Sequence, residues 1–360
     1  MTATMKAAVY HGTRDIRIEQ VALPEPRADE VLVAVRRSGI CGTDATEWAA
    51  GPVMAPLHRR HPASGHLGPM IPGHEFVGEV VDGRGELPTG TSVAAGAGVW
   101  CGRCDRCALG RTNICRDYYT LGLNAPGGLA EYVVAPARTL RPIPAGLSFD
   151  AAAMAQPLAV GLHAARRAGV RDGESVVLIG AGAIGTFVLA GLSRLNHADV
   201  TVIDLPGAKL ERAAKLGANR TLSAREDVVE RVLENTRGRG ADVVIEASGA
   251  SGQFETALRM VTTGGRVLAV GLPKEKPTVD LFALTLREIT VGSNVAHVCD
   301  EDLGPALEIL SEGTLGPLLL HSVITLDDLV AQGLEPVASG QVDGKILVAP
   351  GCRTAEPRGS

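Results

Sequence analysis

The sequence predicts an α/β protein with two domains, one mainly β and one built on a doubly wound parallel sheet. Its 360 residues are enough for two hydrophobic cores. Short alternating strand-like runs broken by Gly and Pro fill the first part, whereas strands and helices alternate from residue 151 to 295. Hydrophobic residues make up 45% and aromatic residues only 3%, which is typical of tightly packed α/β layers.

The mainly β domain is predicted to comprise residues 1–150 and 296–350, so that 151–295 form an insertion. Val31 to Val35 is one of its short apolar strands, and Lys345 to Val348 is expected to be the strand that closes the domain. Residues 52–72, with three His and five Pro, are predicted to be a long loop, which is uncommon unless functional. The polar tail 351–360 lacks periodicity and is predicted to be disordered.

The inserted domain is predicted to begin with an Ala-rich helix, Ala151 to Ala168. Its strands are uninterrupted apolar runs, as expected for parallel strands covered by helices on both faces. These strands are Ser175 to Ile179, Val200 to Ile203, Val243 to Ile245 and Arg266 to Val270, with helices at Gly207 to Leu216 and Asp227 to Leu233.

Charge and targeting signals exclude several classes of partner. The formal net charge is −5 with acidic and basic residues interspersed, so neither nucleic acid nor an anionic membrane is an expected partner. No signal-like segment and no run of about 18 uncharged apolar residues occurs in the sequence. The sequence therefore predicts a soluble cytoplasmic protein.

A glycine-rich turn follows the first predicted strand of the inserted domain. It reads Gly180-Ala181-Gly182-Ala183-Ile184-Gly185 and opens a helix. The glycines permit a tight turn, close approach of a pyrophosphate and close helix–strand packing, while the helix N-terminus faces the phosphates. This placement predicts a dinucleotide site. The alternative is a turn that only packs against the sheet.

Asp204 ends the next strand, where a carboxylate accepts hydrogen bonds from the adenosine ribose. The same charge would repel a 2′-phosphate, and no Arg follows it directly, so NAD is favoured over NADP. Lys209 is the one nearby cation that weakens this distinction. The alternative role for Asp204 is to cap the next helix. Gly271, in the loop after a later strand, is expected to border the nicotinamide, although it is equally consistent with a plain turn.

Four cysteines fall within fifteen positions, with the spacing of a metal site rather than of a disulfide framework: Cys101, Cys104, Cys107 and Cys115. Four thiolates close a tetrahedral Zn²⁺ site without an open position, and a closed site is structural. The alternatives are a zinc-ribbon-like module for nucleic acid, which the charge balance disfavours, and unligated buried cysteines.

Cys41 and His74-Glu75 form a second, dispersed candidate site. Spacing alone does not join them, because a lone Cys is commonly a small buried hydrophobe and a His after Pro-Gly is commonly a turn residue.

Taken together, these motifs resemble those of the zinc-containing medium-chain dehydrogenase/reductase family, and the resemblance covers essentially the whole length of the chain. That resemblance implies a GroES-like catalytic domain and a Rossmann domain. Within the family, the loop between Cys41 and His74 resembles the extended loop of the 2,3-butanediol dehydrogenases, in the butanediol and sorbitol branch. The matching stretches are Gly39 to Asp44, Gly73 to Glu75, the four-cysteine segment, Gly127 to Tyr132, Gln156 to Ala159, the Gly180 turn and Gly344-Lys345.

The resemblance implies that Cys41 and His74 ligate a catalytic Zn²⁺, with Glu75 as a further ligand or close neighbour. Gln156 stands where the polyol branch has Glu; its carbonyl oxygen still ligates a metal, but it is neutral and leaves the metal more positive. Thr43 occupies the position of the hydroxyl that takes the alcohol proton. Thr46 replaces a His found in many relatives, so the proton route ends in water or in a loop His: His58, His61 or His66.

The expected reaction is oxidation of a secondary alcohol of a vicinal diol or small polyol by NAD⁺, with zinc as Lewis acid. One alternative is a dehydrogenase of a sugar, cyclitol or aminocyclitol; Gln156 and the Asn294-to-His297 segment leave that open. A non-catalytic NAD-binding scaffold is a third. Trp48 is expected either to line the substrate pocket or to fill the core. A homodimer or homotetramer is expected from the resemblance alone.

Overall fold

A computed structural model describes residues 3–83, 85–273 and 275–351. The chain divides into a first unit, residues 1–156 with 298–360, and a second unit, residues 157–297. The sequence predicted boundaries at 150/151 and 295/296. One helix was predicted over Ala151 to Ala168, whereas the structure has one helix that ends at Ala152 and another that begins at Ala155. The tail predicted to be disordered lies, beyond Gly351, outside the described residues.

The strands follow one another along the chain as follows: β1 Thr4–Gly12, β2 Asp15–Ala22, β3 Glu30–Gly39, β4 Glu75–Asp82, β5 Ser92–Ala95, β6 Gly98–Val99, β7 Tyr119–Thr120, β8 Tyr132–Pro136, β9 Leu140–Pro142, β10 Ser175–Ile179, β11 Asp199–Asp204, β12 Arg220–Ser223, β13 Ala241–Glu246, β14 Val261–Ala269, β15 Thr290–Ser293, β16 Leu320–Thr325 and β17 Lys345–Ala349.

The α-helices are α1 Gly42–Ala50, α2 Asp105–Ala108, α3 Phe149–Ala152, α4 Ala155–Ala168, α5 Ala183–Leu195, α6 Ala208–Lys215, α7 Val228–Asn235, α8 Gln253–Met260, α9 Leu281–Leu286, α10 Cys299–Ser311, α11 Leu315–Leu319 and α12 Glu335–Ala338. Short 3₁₀ turns occur at Thr112–Ile114 and Ala137–Thr139, and a π-helical turn occurs at Leu329–Leu334. In the described residues no helix is long and apolar enough to cross a membrane.

The first unit is built on a seven-stranded sheet. Its order is β16-β17-β3-β4-β5-β9, and β8 also pairs with β3. Val31, Val33 and Val35 of β3 share one core cluster, because alternate residues of a strand point to the same face. Strands β3 and β4 are antiparallel, with Gly39 opposite Glu75. That register brings the residues just after β3 close to those just before β4.

The second unit is a six-stranded parallel sheet of order β12-β11-β10-β13-β14-β15. Val176 and Leu178 of β10 lie in one core cluster, while Val177 and Ile179 lie in another on the opposite face. Both faces are therefore covered, as the uninterrupted apolar runs predicted. The strand order reverses between β10 and β13, and ligands of such sheets bind outside the carboxyl ends of the strands at this point.

Candidate active site and metal centres

The four cysteines of the predicted structural site come together in the first unit. The sulfur atoms of Cys101, Cys104, Cys107 and Cys115 all lie within 4.8 Å of one another. Cys104 Sγ is 3.6 Å from Cys107 Sγ and 3.8 Å from Cys115 Sγ. A tetrahedral zinc ion with Zn–S bonds of about 2.3 Å holds its sulfurs about 3.8 Å apart, so the four side chains fit Zn²⁺.

Backbone N–H groups donate hydrogen bonds to these sulfurs, and such bonds favour the thiolate form that binds a cation. Backbone hydrogen bonds at Arg116 and Cys107 lower the pKa of Cys104 to about 6. The Cys115 sulfur accepts hydrogen bonds from the backbone N–H groups of Cys101 and Asp117, each at 3.3 Å. Burial raises the pKa of Cys107 to about 12, and a bound metal deprotonates such a thiol outright.

The dispersed candidates Cys41, His74 and Glu75 also come together, with their ligand atoms all within 4.8 Å of one another. Cys41 is the N-cap of α1, two residues after the end of β3, and His74 immediately precedes β4. The pairing of Gly39 with Glu75 determines this meeting. A Cβ atom at Gly39 would lie 2.3 Å from Glu75 Oε2, so a larger residue there would displace the Glu75 carboxylate.

The surroundings of His74 favour a positive charge. His74 is only 5% exposed, and its Nδ1 lies 3.5 Å from Asp44 Oδ1; neither atom has a hydrogen-bond partner among the described residues. Asp44 Oδ2 accepts the backbone N–H of Cys41 at 2.9 Å. Burial lowers the pKa of His74, but the charges of Asp44 and Cys41 outweigh it and raise that pKa well above its ordinary value. A divalent cation suits this pocket.

Lys345 pairs with Glu75 inside the same pocket. Its Nζ forms a buried ion pair with Glu75 Oε2 and donates a hydrogen bond of 2.9 Å to the carbonyl of Ile40. Burial lowers the pKa of Lys345, and the negative charge of Glu75 more than compensates, so that pKa is raised and the ammonium keeps its proton. Sequence reasoning placed Lys345 in a stretch that matches the family but missed its role in this pocket; the available signal was a charged residue that opens the apolar strand β17.

Thr43 and Gln156, the two other residues predicted to take part in catalysis, lie on helices. Thr43 is in the first turn of α1, and its Oγ1 is 3.7 Å from Cys41 Sγ. Gln156 is a buried residue in the first turn of α4, and its role as a metal ligand stays a prediction. Thr46 lies in the middle of α1.

Two of the three loop histidines, His61 and His66, form hydrogen bonds within the loop itself, whereas His58 is exposed. His61 Nδ1 lies 3.3 Å from the backbone nitrogen of Ala63 and 3.1 Å from that of Ser64, and accepts both N–H groups. His66 Nε2 donates towards the carbonyls of Gly68 and Pro69, each at 3.2 Å. That the proton route ends in water stays a prediction.

Glu47 anchors this long loop to the helix that carries the candidate ligand. It is buried near the end of α1, and its carboxylate accepts the backbone N–H groups of Val53, Met54 and Ala55 at 2.9–3.1 Å. Sequence reasoning missed this role, because a Glu on a short helix is usually solvent-exposed. Its neighbour Trp48 is buried in a core cluster.

In the second unit the glycine-rich turn has the predicted form. Gly180, at the end of β10, has φ +98°, and Gly182 is the N-cap of α5, which Ala183 and Ile184 open. A Cβ atom at Gly185 would lie 1.8 Å from the carbonyl oxygen of Gly180. The turn therefore requires glycine at its first and third positions.

Asp204, at the end of β11, reaches back to this turn. Its Oδ2 accepts the backbone N–H of Ala181 at 2.6 Å. The alternative that Asp204 caps the next helix is wrong, because the N-cap of α6 is Gly207 and no side chain caps it. Lys209 lies in the first turn of α6. Gly271 follows β14, and its N–H donates to the carbonyl of Glu246 at 2.9 Å.

Together, a mainly β unit with two metal-ligating groups and a doubly wound unit with a dinucleotide turn define a zinc- and nicotinamide-dependent dehydrogenase. Two family models match the chain: an alcohol dehydrogenase GroES-like domain over residues 27–145 and a zinc-binding dehydrogenase domain over residues 183–312.

Known proteins resemble the chain over nearly its whole length. Sorbitol dehydrogenase of Bacillus subtilis is 32% identical over 96% of this chain and 89% of its own length. (R,R)-butanediol dehydrogenase of the same species is 31% identical over 96% and 100%. The crystal structure of the 2R,3R-butanediol dehydrogenase from that species superposes with a TM-score of 0.87, at 29% identity and the same coverage. A zinc-binding dehydrogenase of Sinorhizobium meliloti, bound to NADP, gives 0.83 at 29% identity over 97% and 100%. The chain belongs to the zinc-containing medium-chain dehydrogenase/reductase family.

Zinc content tests both centres. We expect about two Zn²⁺ per purified chain, and about one in Cys41→Ser or in Cys107→Ser, measured by inductively coupled plasma mass spectrometry. Cys299→Ser is the matched control, because Cys299 is buried outside both clusters and should leave the zinc content unchanged. Two zinc ions in Cys41→Ser would contradict the assignment of the dispersed site.

The buried Lys345–Glu75 pair gives a stability prediction. Lys345→Met leaves the Glu75 charge buried without its cation, so the free energy of unfolding should fall by about 3–5 kcal/mol. In the control, Lys6→Met breaks a solvent-exposed pair with Asp327 and should cost less than about 1 kcal/mol. Urea unfolding followed by circular dichroism measures both; equal losses would rule out a special role for the buried pair.

Proposed function

We propose that the protein is a zinc-dependent, NAD-linked dehydrogenase that oxidises a secondary alcohol of a vicinal diol or small polyol to a ketone. The observation that carries the proposal is the meeting of Cys41, His74 and Glu75 within 4.8 Å in a buried, anionic pocket. Because the candidate metal ligands are assembled, a non-catalytic scaffold is less well supported.

Each residue of the candidate site has a separate role in the proposed reaction. Cys41 and His74, with Gln156 or Glu75 as a further ligand, would hold a zinc ion, which would supply the Lewis acid that lowers the pKa of the substrate hydroxyl. The Thr43 hydroxyl takes the proton and passes it to water, since a threonine cannot store a proton at neutral pH as a histidine does. The Gly180 turn holds NAD⁺, the hydride acceptor, by its pyrophosphate.

The diol assignment rests on the extended loop that Glu47 anchors and on the similarity to butanediol and sorbitol dehydrogenases. A sugar, cyclitol or aminocyclitol is the second candidate class of substrate. It is favoured by neutral Gln156 at a position where the polyol branch has Glu, and by the Asn294-to-His297 segment.

A substrate panel distinguishes these candidates. Initial rates at fixed NAD⁺ should be highest with 2,3-butanediol or sorbitol, and lower with glucose and inositols. Cys41→Ser should abolish turnover of every active substrate and still bind NADH in a fluorescence titration. Turnover retained by that variant contradicts zinc-assisted chemistry at Cys41, and a preference for inositols selects the second class.

The preference for NAD over NADP rests on Asp204, and the NADP-bound relative makes it worth testing. Asp204→Ala removes both the ribose acceptor and the charge that repels a 2′-phosphate, so the ratio of kcat/KM for NAD to that for NADP should fall by about tenfold or more. Lys209→Ala, the control, should leave that ratio unchanged or raise it. An unchanged ratio in Asp204→Ala would separate Asp204 from the ribose.

We also propose that the protein is a homodimer or homotetramer and works in the cytoplasm. The edge strand β15 and α9 of the second unit carry exposed apolar side chains, among them Leu281, Phe282 and Val291. Such a patch marks an interaction surface, and unpaired strand edges invite pairing with another chain. The six cysteines of the described residues are all free, as metal-binding thiols in a reducing compartment require.

The oligomer is tested by substitution in this patch. Phe282, which is 75% exposed, lies on α9, and Phe282→Glu should lower the mass measured by light scattering after gel filtration. Leu109→Glu, at a similarly exposed apolar residue of the first unit, should leave the mass unchanged. A monomeric wild-type chain would contradict the proposal.

A further inference from the structure

We propose that Glu246 is a positioning residue for the nicotinamide half of the dinucleotide site, an inference that rests on the proposed function. Glu246 ends β13 and is only 3% exposed. Among the described residues, no lysine, arginine or histidine forms an ion pair with it. A buried carboxylate without a cation is costly unless hydrogen bonds satisfy it, so its hydrogen bonds indicate what it is for.

Those hydrogen bonds hold the loop that follows β13. Glu246 Oε1 accepts the backbone N–H of Ser248 at 2.8 Å and that of Gly249 at 3.0 Å, and the Ser248 hydroxyl also donates to it. Charge-assisted bonds of this kind are about twice as strong as neutral ones. The carboxylate therefore fixes the path of residues 247–250.

This loop in turn contacts the loop after β14. The Glu246 carbonyl accepts the N–H groups of Val270 at 2.8 Å and Gly271 at 2.9 Å. The two loops approach so closely that a Cβ atom at Gly271 would lie 2.2 Å from the nitrogen of Gly249, and one at Gly249 would lie 2.6 Å from the oxygen of Leu272. Displacing the first loop must displace the second.

The same loop lies against the glycine-rich turn. A Cβ atom at Gly180 would be 2.9 Å from the backbone nitrogen of Ser248, and Ala247 donates its N–H to the Ile179 carbonyl at 2.8 Å. Glu246 is thus at the centre of three loops that leave β10, β13 and β14, at the point where the strand order reverses.

The strand order assigns this arrangement to one half of the ligand. In a doubly wound sheet each set of three strands binds one mononucleotide. Asp204 and the Gly180 turn belong to β10–β12, the adenosine half, whereas the loops that Glu246 fixes follow β13 and β14. Glu246 should therefore govern how the nicotinamide nucleotide is held, and have little effect on the adenosine end.

Binding of NADH and of ADP-ribose to the full-length, zinc-loaded protein tests this. ADP-ribose lacks the nicotinamide, so Glu246→Ala should weaken NADH about tenfold and change the dissociation constant of ADP-ribose less than about threefold. Glu246→Gln should largely restore NADH binding, because its amide oxygen accepts the same N–H groups. Asp204→Ala should instead weaken both ligands alike.

A second pair of variants alters the loop after β13 and leaves the Glu246 carboxylate in place. Gly249→Ala places a methyl group against the Leu272 carbonyl and should reproduce the selective loss of NADH binding. Gly252→Ala is the matched control: it has a similar positive φ, +76° against +62°, but nothing within 4 Å of its Cβ. These two variants also test whether the loop positions the nicotinamide if Glu246→Ala does not fold.

Each result has one meaning. Selective loss of NADH in Glu246→Ala and Gly249→Ala, with rescue by Glu246→Gln, supports the positioning role. Equal loss of NADH and ADP-ribose, or unchanged NADH binding, overturns it. Failure of the wild-type protein to bind either ligand would overturn the proposed cofactor, and hence the proposed function, instead.

Discussion

The antiparallel pairing of β3 with β4 is the constraint on which the candidate active site depends. Gly39 lies opposite Glu75, so Cys41 and His74 meet although the loop between them is long. A register shift of one residue would turn Glu75 to the other face of the sheet. The site is therefore determined by the same backbone hydrogen bonds that hold the core of the first unit, and it should lose its geometry only when that sheet does.

Charge balance explains why these residues tolerate burial together. With Cys41 ionised and His74 neutral, as both are when they ligate a metal, the pocket holds three negative groups, Cys41, Asp44 and Glu75, and one positive group, Lys345, which leaves two negative charges. That excess equals the charge of one Zn²⁺. Buried charges are stable only when paired, so the metal belongs to the stability of this pocket as well as to its chemistry.

Patterns within short stretches of the sequence predicted the features that form within those stretches. The apolar runs predicted four of the six strands of the second unit, and missed the edge strands β12 and β15. The spacing of Cys101 to Cys115 predicted one metal centre. Contacts between distant parts of the chain left no such pattern, and so the partnership of Lys345 with Glu75, 270 positions earlier, came only from the structure. The roles of Glu47 and Glu246 also came only from the structure, because a carboxylate that binds nearby backbone N–H groups leaves no periodic signal in the sequence. The break between α3 and α4 was also missed, because Ala and Met, which occupy it, are good helix formers.

Helix α1 links the chemistry to the loop that distinguishes branches of the family. Cys41 and Thr43 lie at its start, while Glu47, near its end, holds the backbone of Val53 to Ala55. The nine residues of this helix are thus shared by the metal site and the loop. For protein engineering, the unit to transfer is therefore the helix together with its loop. A loop grafted from a relative without its own anchoring carboxylate would lack the hydrogen bonds that hold its backbone in place.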